Sequence, residues 1–366
     1  MVPGGRPPGP GPVASPDSRP PAAGPVAWSF VPVERPSDPE NPAPPRYDVV
    51  GIGNALVDVI AHAGDGFLAA HGLVKGSMEL IDTERAVELY AALGAAVEMS
   101  GGSAANTMCG VASLGGRAAY LGKVGTDDLG AVFGHDLAAV GVAFRPGSPS
   151  DEAPTGRCII VVTPDAQRTM STYLGVSSLL GPSDLDEDVI GAGAVLYMEG
   201  YLFDRPDAKA AFSRAATVAH QHGRKVSLTL SDSFCVDRHR DDFAELVRES
   251  VDLLFGNEDE LCSLYRSADL DSAITEVRRH CELVAVTTGA AGSRIVTPDG
   301  VVDVPVEPVE RVLDTTGAGD LYAAGFLYGY THGRPLAECG RIGSLAAGEV
   351  ISHVGPRPLI ELRTLL

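Results

Sequence analysis

Short apolar runs alternate with helical patterns along most of the chain, and this alternation constrains the fold more than any other feature. The first run, YDVVGIG at 47–53, ends in glycines, as expected for a buried strand that leads into a turn. Similar runs follow at 118–124, 194–198, 225–230, 251–255 and 283–287. Helical patterns lie between them, for example at 83–93, 207–221 and 336–352. Strands that alternate with helices form βαβ units, so the pattern predicts an α/β fold with a mainly parallel sheet.

One stretch breaks this alternation. The runs TGRCIIVVT at 155–163 and RTMSTYL at 168–174 flank PDAQ, a pattern typical of a β-hairpin. Residues 77–81 are a candidate for a further strand of the same kind. We therefore predict a small second sheet that acts as a lid over the ligand site, with its strands within about 60–82 and 152–176.

The start of the chain differs in composition from the remainder. Residues 1–45 contain 15 of the 27 prolines, and proline-rich sequence builds neither helices nor sheet ladders. We expect a disordered tail at 1–46, followed by a folded domain at 47–366. A proline-rich ligand of a PxxP-binding domain is the alternative interpretation of the tail.

Charge and cysteine content limit the kinds of binding partner and the cellular location that we expect. Acidic residues outnumber basic ones by 48 to 28, which gives a formal charge of −20 with neutral histidines. This argues against nucleic acids and anionic membranes, since both are bound through surplus Lys and Arg. The chain has no apolar run of about 18 residues that would span a membrane, no secretory signal pattern and no CxxC pair among its six cysteines. We expect a soluble cytoplasmic protein with reduced thiols.

The most specific motif is DTTGAGD at 314–320, which precedes an apolar helical stretch. Gly317, Ala318 and Gly319 would present backbone N–H groups at a helix start, where an anion can approach closely. Asp320 beside this cradle is a candidate general base for a hydroxyl that attacks a phosphoryl group. The alternative is a glycine-rich loop with Asp320 as a helix cap.

Two further motifs suit a polyol. Gly101 and Gly102 open a predicted helix in which Asn106, about one turn in, offers both donors and an acceptor. Asn54 and Asp58 lie in an otherwise apolar stretch, and such side chains suit the vicinal hydroxyls of a sugar. A tight turn with an exposed Asn106, and a capped first turn at 54–58, are the alternatives.

Two later motifs suit a nucleotide. Asn257 and Glu260 follow a predicted strand and could organise Mg²⁺ and its waters, although a solvated helix N-terminus explains the acids equally well. Thr288, Gly289 and Gly292 could form a backbone site for nucleotide phosphates, or a bare turn. The motifs GxxxxGK[ST], HExxH and GxSxG do not occur in the sequence, which argues against Walker-type ATPases, zincins and α/β-hydrolases.

Taken together, these motifs resemble a known family. GGxxxN at 101–106 and DTxGAGD at 314–320 are similar to the two signatures of the ribokinase-like, or PfkB, sugar and nucleoside kinases. Within that family, GNxLxD at 53–58, DLLFGNExE at 252–260 and PLxEC at 335–339 are similar to adenosine kinases. The resemblance covers residues 47 to about 360, and it implies a three-layer α/β/α core with a small β-sheet lid.

The resemblance also implies roles for individual residues. ATP with Mg²⁺ would be the phosphoryl donor and a ribose 5′-hydroxyl the acceptor. Asp58 and Asn106 would hold ribose hydroxyls, Asp320 would be the base, and the backbone at 317–319 would stabilise the transferring phosphoryl group. Asn257 and Glu260 match an NxxE pair that organises the metal, with Glu260 acting through water.

Three positions match adenosine kinases less closely. Arg168 lies near the lid arginine that those enzymes aim at the phosphates, and Tyr201 and Phe234 fall where they place aromatic contacts to the base. The chain departs from their pattern with SDSF at 231–234 and MEL at 78–80, which leaves the preferred base open.

We therefore expect a monomer or homodimer that phosphorylates the 5′-hydroxyl of a nucleoside, with adenosine first among the candidates. A ribokinase- or fructokinase-like sugar kinase and a catalytically silent nucleoside-binding protein are the alternatives. The aromatic side chains favour a base over a bare sugar, because a flat ring gains contact area by stacking. The intact Asp320 and glycines favour an active enzyme over a silent one.

Overall fold

Fourteen strands form the two sheets of the described chain. The computed structural model describes Met1 and residues 44–150, 152–165 and 167–366, so the tail expected at 1–46 lies outside the described residues apart from Met1 and 44–46. The strands are β1 (Tyr47–Ile52), β2 (Leu56–His62), β3 (Met78–Leu80), β4 (Ala96–Gly101), β5 (Ala118–Gly122), β6 (Ala143–Pro146), β7 (Gly156–Val162), β8 (Arg168–Tyr173), β9 (Gly193–Glu199), β10 (Lys225–Thr229), β11 (Leu253–Asn257), β12 (Leu283–Thr287), β13 (Ser293–Thr297) and β14 (Gly300–Val304).

Helices connect most of these strands. They are α1 (Asp65–Ala70), α2 (Thr83–Ala92), α3 (Ser103–Ser113), α4 (Asp128–Ala139), α5 (Glu187–Gly191), α6 (Pro206–Gln221), α7 (Ser233–Ser250), α8 (Glu258–Tyr265), α9 (Leu270–Val277), α10 (Ala318–Thr331) and α11 (Leu336–Val350). None of the helices in the described ranges is both long and apolar enough to cross a membrane.

The larger sheet has nine strands in the order β14-β13-β12-β11-β10-β9-β1-β5-β6. All neighbours from β6 to β12 are parallel, and β13 and β14 add an antiparallel edge. The six apolar runs identified in the sequence all lie in this sheet. The predicted α/β class with a mainly parallel sheet is therefore confirmed.

Helices cover both faces of the larger sheet. Successive residues of β1 point to opposite faces, so that Val50 and Ile52 pack with α5 to α9, whereas Val49 packs with α3, α4, α10 and α11. Both layers are filled by large side chains without exposed surface, such as Phe212 on one face and Phe326 on the other. The chain thus forms a three-layer α/β/α core, and burial on both faces explains why its strands read as continuous apolar runs.

The smaller sheet has five strands in the order β3-β8-β7-β2-β4. It contains the antiparallel pair β7 and β8, where the sequence predicts a hairpin, and β3, where it suggests a further strand. It also contains β2 and β4, which extend it beyond the expected ranges. The sequence pattern does not predict β4, because its AVEMSG segment is largely exposed at its start and forms no apolar run. Only residues 53–55 separate β1 from β2, so the chain passes from one sheet to the other at the edge where β1 ends.

Candidate active site

Two glycines allow the strand β4 and the helix α3 to meet the beginning of β2. Gly102 has a φ of +95°, and a Cβ placed on it would lie 2.2 Å from the carbonyl oxygen of Asn54. A Cβ on Gly101 would lie 2.4–2.5 Å from the carboxylate atoms of Asp58. Any larger residue in this glycine turn (Gly101 and Gly102) would therefore displace Asp58 or strain the backbone.

Asp320 lies in the first turn of α10 and binds side chains of another helix. Its Oδ1 accepts a hydrogen bond from Ser103 Oγ at 2.6 Å, and its Oδ2 accepts one from Asn106 Nδ2 at 3.0 Å. Both donors lie on α3, more than two hundred residues earlier in the chain. Its carboxylate is thus committed to contacts across the site, which is not the geometry of the helix cap considered as an alternative.

The environment of Asp320 makes its carboxyl group a better proton acceptor. Burial raises its pKa above the ordinary value, although the hydrogen bonds from Ser103 and Asn106 and the charge of Arg357 act in the opposite direction. A general base works best when its pKa approaches the working pH. The raised pKa of Asp320 moves it towards that range.

Asp58 is a buried carboxylate without a hydrogen-bond donor. Only 6% of its surface is exposed, and it accepts no hydrogen bond from the residues that the structure describes. Burial raises the pKa of Asp58 to about 6, while the charges of Arg357 and Arg168 lower it and that of Asp320 raises it further. The two carboxylate oxygens of Asp58 are therefore available to accept hydrogen bonds from the hydroxyl groups of a ligand.

Asn106 offers a second acceptor of the same kind. Its Nδ2 group binds Asp320, but its Oδ1 atom is buried without a hydrogen-bond partner in the described chain. Asp58 adjoins Gly101 of the glycine turn, and Asn106 lies in the helix that follows the turn, where its amide binds Asp320. This arrangement suits a ligand with several hydroxyl groups, one of them close to Asp320.

Asn54 differs from the expectation of a substrate contact. Its Nδ2 and backbone N donate to Glu199 Oε1 at 3.0 and 3.3 Å, and its Oδ1 accepts from Ser177 Oγ at 3.0 Å. Only 2% of its surface is exposed, and its side-chain nitrogen and oxygen both bind other residues of the protein. Its role in this structure is to fix the crossing from β1 to β2.

Glu199, which the motifs do not identify, anchors this side of the site. It ends β9, is 1% exposed, and its Oε2 accepts from the backbone N of Ala104 at 2.8 Å in the first turn of α3. Burial raises the pKa of Glu199 to about 7, although three N–H donors lower it. An acidic residue directly after a buried apolar strand is the sequence signal that could have identified it.

The loop 314–319, which we call the anion loop, is held by Asp314. Its carboxylate accepts from Thr316 N at 3.0 Å, Thr316 Oγ1 at 2.7 Å and Gly355 N at 3.0 Å. Gly317 has a φ of +79° and is the N-cap of α10, and a Cβ on Gly319 would meet no described atom within 4 Å. The backbone at Gly319 is therefore open at a helix N-terminus, where the helix dipole favours an anion.

Arg168 brings the smaller sheet into contact with the anion loop. It begins β8, only 9% of its surface is exposed, and its Nη1 lies 2.8 Å from Asp314 Oδ2 as an ion pair. None of its guanidinium nitrogens makes a well-aligned hydrogen bond to the described residues. A buried guanidinium with free donors beside the anion loop suits phosphate oxygens.

Tyr201 and Phe234, the two aromatic residues predicted to contact the base, lie near each other in the fold but differ in exposure. The Tyr201 ring is half-buried, and its hydroxyl donates to the Ser231 carbonyl at 3.3 Å. Phe234, in the first turn of α7, is 75% exposed. Such a ring on the protein surface gains contact area when a flat ligand stacks on it.

Asn257 and Glu260 form hydrogen bonds with each other. Glu260 N donates to Asn257 Oδ1 at 2.9 Å, and the Glu260 carboxylate accepts from Asn257 N at 3.1 Å and from Asn257 Nδ2 at 2.7 Å. This capping box starts α8, which matches the helix N-terminus considered as the alternative. Burial raises the pKa of Glu260 to about 7.

Direct metal coordination by the protein does not fit these residues. Both Glu260 oxygens are occupied by Asn257, and no group of three or more His, Cys, Asp or Glu side chains in the described ranges could hold an ion. Magnesium at phosphate sites keeps several waters and relies on the phosphate oxygens. The donor set therefore fits an ion that is held mainly by nucleotide and water, not by a protein cage.

Thr288, Gly289 and Gly292 form a tight turn at the end of β12. Thr288 N and Oγ1 donate to the Gly292 carbonyl at 2.9 and 3.1 Å, and both glycines have positive φ values, of 58° and 98°. Gly289 is exposed, with open space around its Cβ position. The turn offers an accessible backbone edge but no side-chain charge.

Known proteins share both the sequence and the fold of this chain. A family model described as pfkB family carbohydrate kinase matches residues 59–362. The adenosine kinase from Sinorhizobium meliloti is 53% identical, with a TM-score of 0.80 over 87% of this chain and 98% of that chain. A probable sugar kinase from Rhizobium etli CFN 42 is 48% identical, with a TM-score of 0.81 over 88% of this chain and 98% of that chain. The ATP-dependent ribose-1-phosphate kinase of Halopiger xanaduensis is 31% identical over 71% of this chain and 84% of its own length.

Proposed function

The chain belongs to the pfkB family of carbohydrate kinases, which are phosphotransferases that act on hydroxyl groups, and from this premise we propose that it phosphorylates the 5′-hydroxyl of a nucleoside, with adenosine first among the candidates. One observation carries the proposal. The orphaned acceptors of Asp58 and Asn106 lie around a carboxylate, Asp320, which adjoins an open helix N-terminus. Ribose hydroxyls, the attacking hydroxyl and the transferred phosphoryl group have complementary chemistry.

Binding of the acceptor begins with its ribose hydroxyls. Asp58 accepts hydrogen bonds from two vicinal hydroxyls, and Asn106 Oδ1, which is otherwise buried without a partner in the described chain, accepts a further one. Ser103 and Asn106 hold the Asp320 carboxylate in place from the other side. The 5′-hydroxyl then replaces one of these two donors at Asp320.

In the transfer step, Asp320 accepts the proton of the 5′-hydroxyl as its oxygen attacks the terminal phosphorus of ATP. A bond forms between that oxygen and phosphorus, and the bond from phosphorus to the bridging oxygen of ADP breaks. Negative charge on the transferred group is opposed by the N–H groups at 317–319 and by Arg168. Magnesium, carried by the phosphates, would supply further charge neutralisation when bound.

The preference for a nucleoside rests on the aromatic side chains and on the relatives. Tyr201 and the exposed Phe234 give a base two rings to contact, whereas a free sugar would leave Phe234 in water. The adenosine kinase of Sinorhizobium meliloti supports the same choice. The probable sugar kinase of Rhizobium etli CFN 42 supports a sugar kinase as the second candidate. The cytoplasmic location, the oligomeric state and the nucleotide contacts of Asn257, Glu260 and the 288–292 turn stay predictions.

The test is ATP-dependent turnover of adenosine, other nucleosides, 2′-deoxyadenosine, ribose and fructose, with Asp320→Asn as the control for contaminating kinases. We expect the highest kcat/KM for adenosine and a clear loss for the 2′-deoxy compound. A free sugar with a higher kcat/KM than any nucleoside would favour the sugar kinase. Nucleoside binding without turnover of any acceptor would favour the silent binding protein.

A further inference from the structure

The segment Gly355, Pro356 and Arg357, which follows α11, touches several parts of the site at once. Gly355 N donates to Asp314 Oδ2 at 3.0 Å, and Pro356 packs where a side chain on Gly317 would otherwise lie. Arg357 Nη2 donates to the carbonyl oxygen of Ser100 at 2.7 Å and to its Oγ at 3.0 Å. The segment therefore links the anion loop to the end of β4, just before the glycine turn.

Arg357 supports the glycine turn through Ser100, the residue that precedes it. Ser100 is buried, and its backbone N donates to Asp136 Oδ2 of α4 at 2.9 Å, so that Asp136 and Arg357 together fix the last residue before the turn. Arg357 Nη1 contacts Cys109 Sγ on α3, one turn after Asn106. Its Nε is buried without a partner in the described chain.

We propose that Arg357 is a positioning residue for phosphoryl transfer, which holds the residue before the glycine turn and supplies a positive charge on the side of the site where Asp58 and Asp320 lie. The inference deepens the proposed function and rests on it for the meaning of the two carboxylates. Arg357 touches neither the acceptor nor ATP in this scheme; it acts through Ser100 and through its charge.

Among the charged groups around Asp58 and Asp320, Arg357 differs from the others because it acts on both carboxylates. Asp58 faces Arg357 and Arg168, together with the carboxylate of Asp320 and the thiol of Cys158. Arg357 lowers the pKa of Asp58 more than Arg168 does.

Asp320 faces the neutral donors Ser103 and Asn106, and its charge also acts on three buried groups: Glu199, Tyr197 and Tyr201. Arg357 is the one described cation that lowers the pKa of Asp320 as well as that of Asp58. Arg168 is paired with Asp314 instead.

The direction in which removal of the Arg357 charge changes the pKa values can be predicted. Without Arg357, less positive charge offsets the effect of burial on the two carboxyl groups. The pKa values of Asp58 and Asp320 therefore rise, and both carboxylates bind protons at higher pH. Below neutral pH, less enzyme would then hold an ionised base and an ionised ribose acceptor. Activity would be lost mainly at the acidic end of the pH profile and recovered as the pH rises.

The test compares Arg357→Gln, Arg357→Lys and wild type in kcat/KM for adenosine between pH 5.5 and 9. For Arg357→Gln we expect a loss of about tenfold or more at pH 6 that shrinks steadily towards pH 9, because removal of a nearby opposite charge raises the pKa of a carboxyl group. Arg357→Lys keeps the charge without the paired hydrogen bonds, so its profile should keep the wild-type shape at a lower kcat. Arg363→Gln is the matched control, since Arg363 lies six residues later and pairs with Glu361.

A second readout does not depend on turnover. Carboxyl titrations of ¹³C-aspartate-labelled protein, assigned with Asp58→Asn and Asp320→Asn, should show both groups titrating at higher pH in Arg357→Gln than in wild type. Unchanged titrations, or a loss of activity that is equal at all pH values, would overturn the charge role. If the wild type phosphorylates neither nucleosides nor sugars, the proposed function fails, and the titrations still decide whether Arg357 controls the two carboxylates. If Arg357→Gln does not fold, Arg357→Lys decides: a profile shifted away from the wild-type shape would overturn the proposal.

Discussion

The proposed acceptor end of the site, around Asp58 and Asp320, and its proposed donor end, around Asn257 and Thr288, are built in different ways. At the acceptor end, Asp320 is held by two side chains of α3, and Glu199 ties that helix, through the backbone N of Ala104, to Asn54. These contacts join residues that lie between 95 and 217 positions apart in the chain. At the donor end, Asn257 binds Glu260 and Thr288 binds Gly292, so the partners lie three or four positions apart.

The two ends also differ in whether their hydrogen-bonding groups have partners within the protein. Asp58 and Asn106 keep acceptors without partners in the described chain, and they gain most when a ligand supplies donors. Asn257 and Glu260 already satisfy one another, and the 288–292 turn closes on itself. We infer that discrimination between acceptors is concentrated at the first end, while the second end accommodates a nucleotide through its backbone. Substitutions at the first end should therefore have much larger effects.

The largest effect is expected for Asp320→Asn, which keeps the shape of the side chain but cannot accept the 5′-hydroxyl proton. Loss of a general base costs about 10²–10⁴ in rate, while KM values and the melting temperature should change little. The measurement is steady-state kcat with MgATP and adenosine, beside a thermal melt. A kcat within about threefold of wild type would contradict the base assignment and remove the main contrast between the two ends.

Asp58→Ala tests the acceptor end through binding. It removes the acceptor for two ribose hydroxyls, and we expect a loss of about 2–4 kcal/mol in transition-state binding, seen mainly as a raised KM for the nucleoside. In the wild type, the KM for adenosine should rise below pH 6, because the pKa of Asp58 is raised to about 6 and its protonated form accepts less well. Equal use of adenosine and 2′-deoxyadenosine by the wild type would show that Asp58 does not bind the ribose.

The contrast between the two ends also explains how far the sequence could predict the site. Gly101, Gly102 and Asp320 stand in short motifs with a local physical meaning, so their chemistry could be inferred before their positions were known. Glu199 and Arg357, which bind residues next to these motifs, stand in no motif themselves, because their contacts join distant parts of the chain.

Asn54 is a second example of this limit of prediction from sequence. Its polarity in an apolar stretch predicted a ligand contact, but the partner that it binds is a glutamate 145 residues away. Similarly, the parallel sheet was predictable from runs that are buried on both faces, whereas β4 was not, since only its last residues are buried. At the donor end, where contacts are local, the alternative of a helix N-terminus at 257–260 could be stated from sequence alone.

Glu199→Gln sharpens the comparison because it changes the scaffold of the acceptor end without touching the ligand. A carboxylate gives both oxygens to N–H donors, whereas an amide gives one, so the start of α3 should shift and kcat should fall by about tenfold or more. The sign of the pH effect on stability also follows. The folded-state pKa of Glu199 is raised from 4.5 to about 7, so its stabilising contribution is fully present below pH 4.5 and is lost as the pH rises to about 7.

The glutamine variant lacks that titration. Relative to wild type, its free energy of unfolding should therefore improve between pH 5 and pH 8, while its kcat stays low at both values. Paired denaturant melts and kcat measurements at these two pH values check both expectations. A stability difference that is constant with pH would show that Glu199 is already ionised throughout, and an unchanged kcat would show that α3 does not depend on this anchor.

The smallest effect is expected at the donor end, for Asn257→Ala. Loss of the capping side chain should cost about 1 kcal/mol of stability, or roughly 2 °C in melting temperature for a domain of this size. Asn257→Ser keeps a capping oxygen and should recover most of that loss. The KM for adenosine should be unchanged in both variants, because the contacts of Asn257 stay within its own turn, and any change should appear in the KM for MgATP. A rise in the adenosine KM comparable to that of Asp58→Ala would mean that the two ends are coupled, and that local hydrogen bonding does not make the donor end independent.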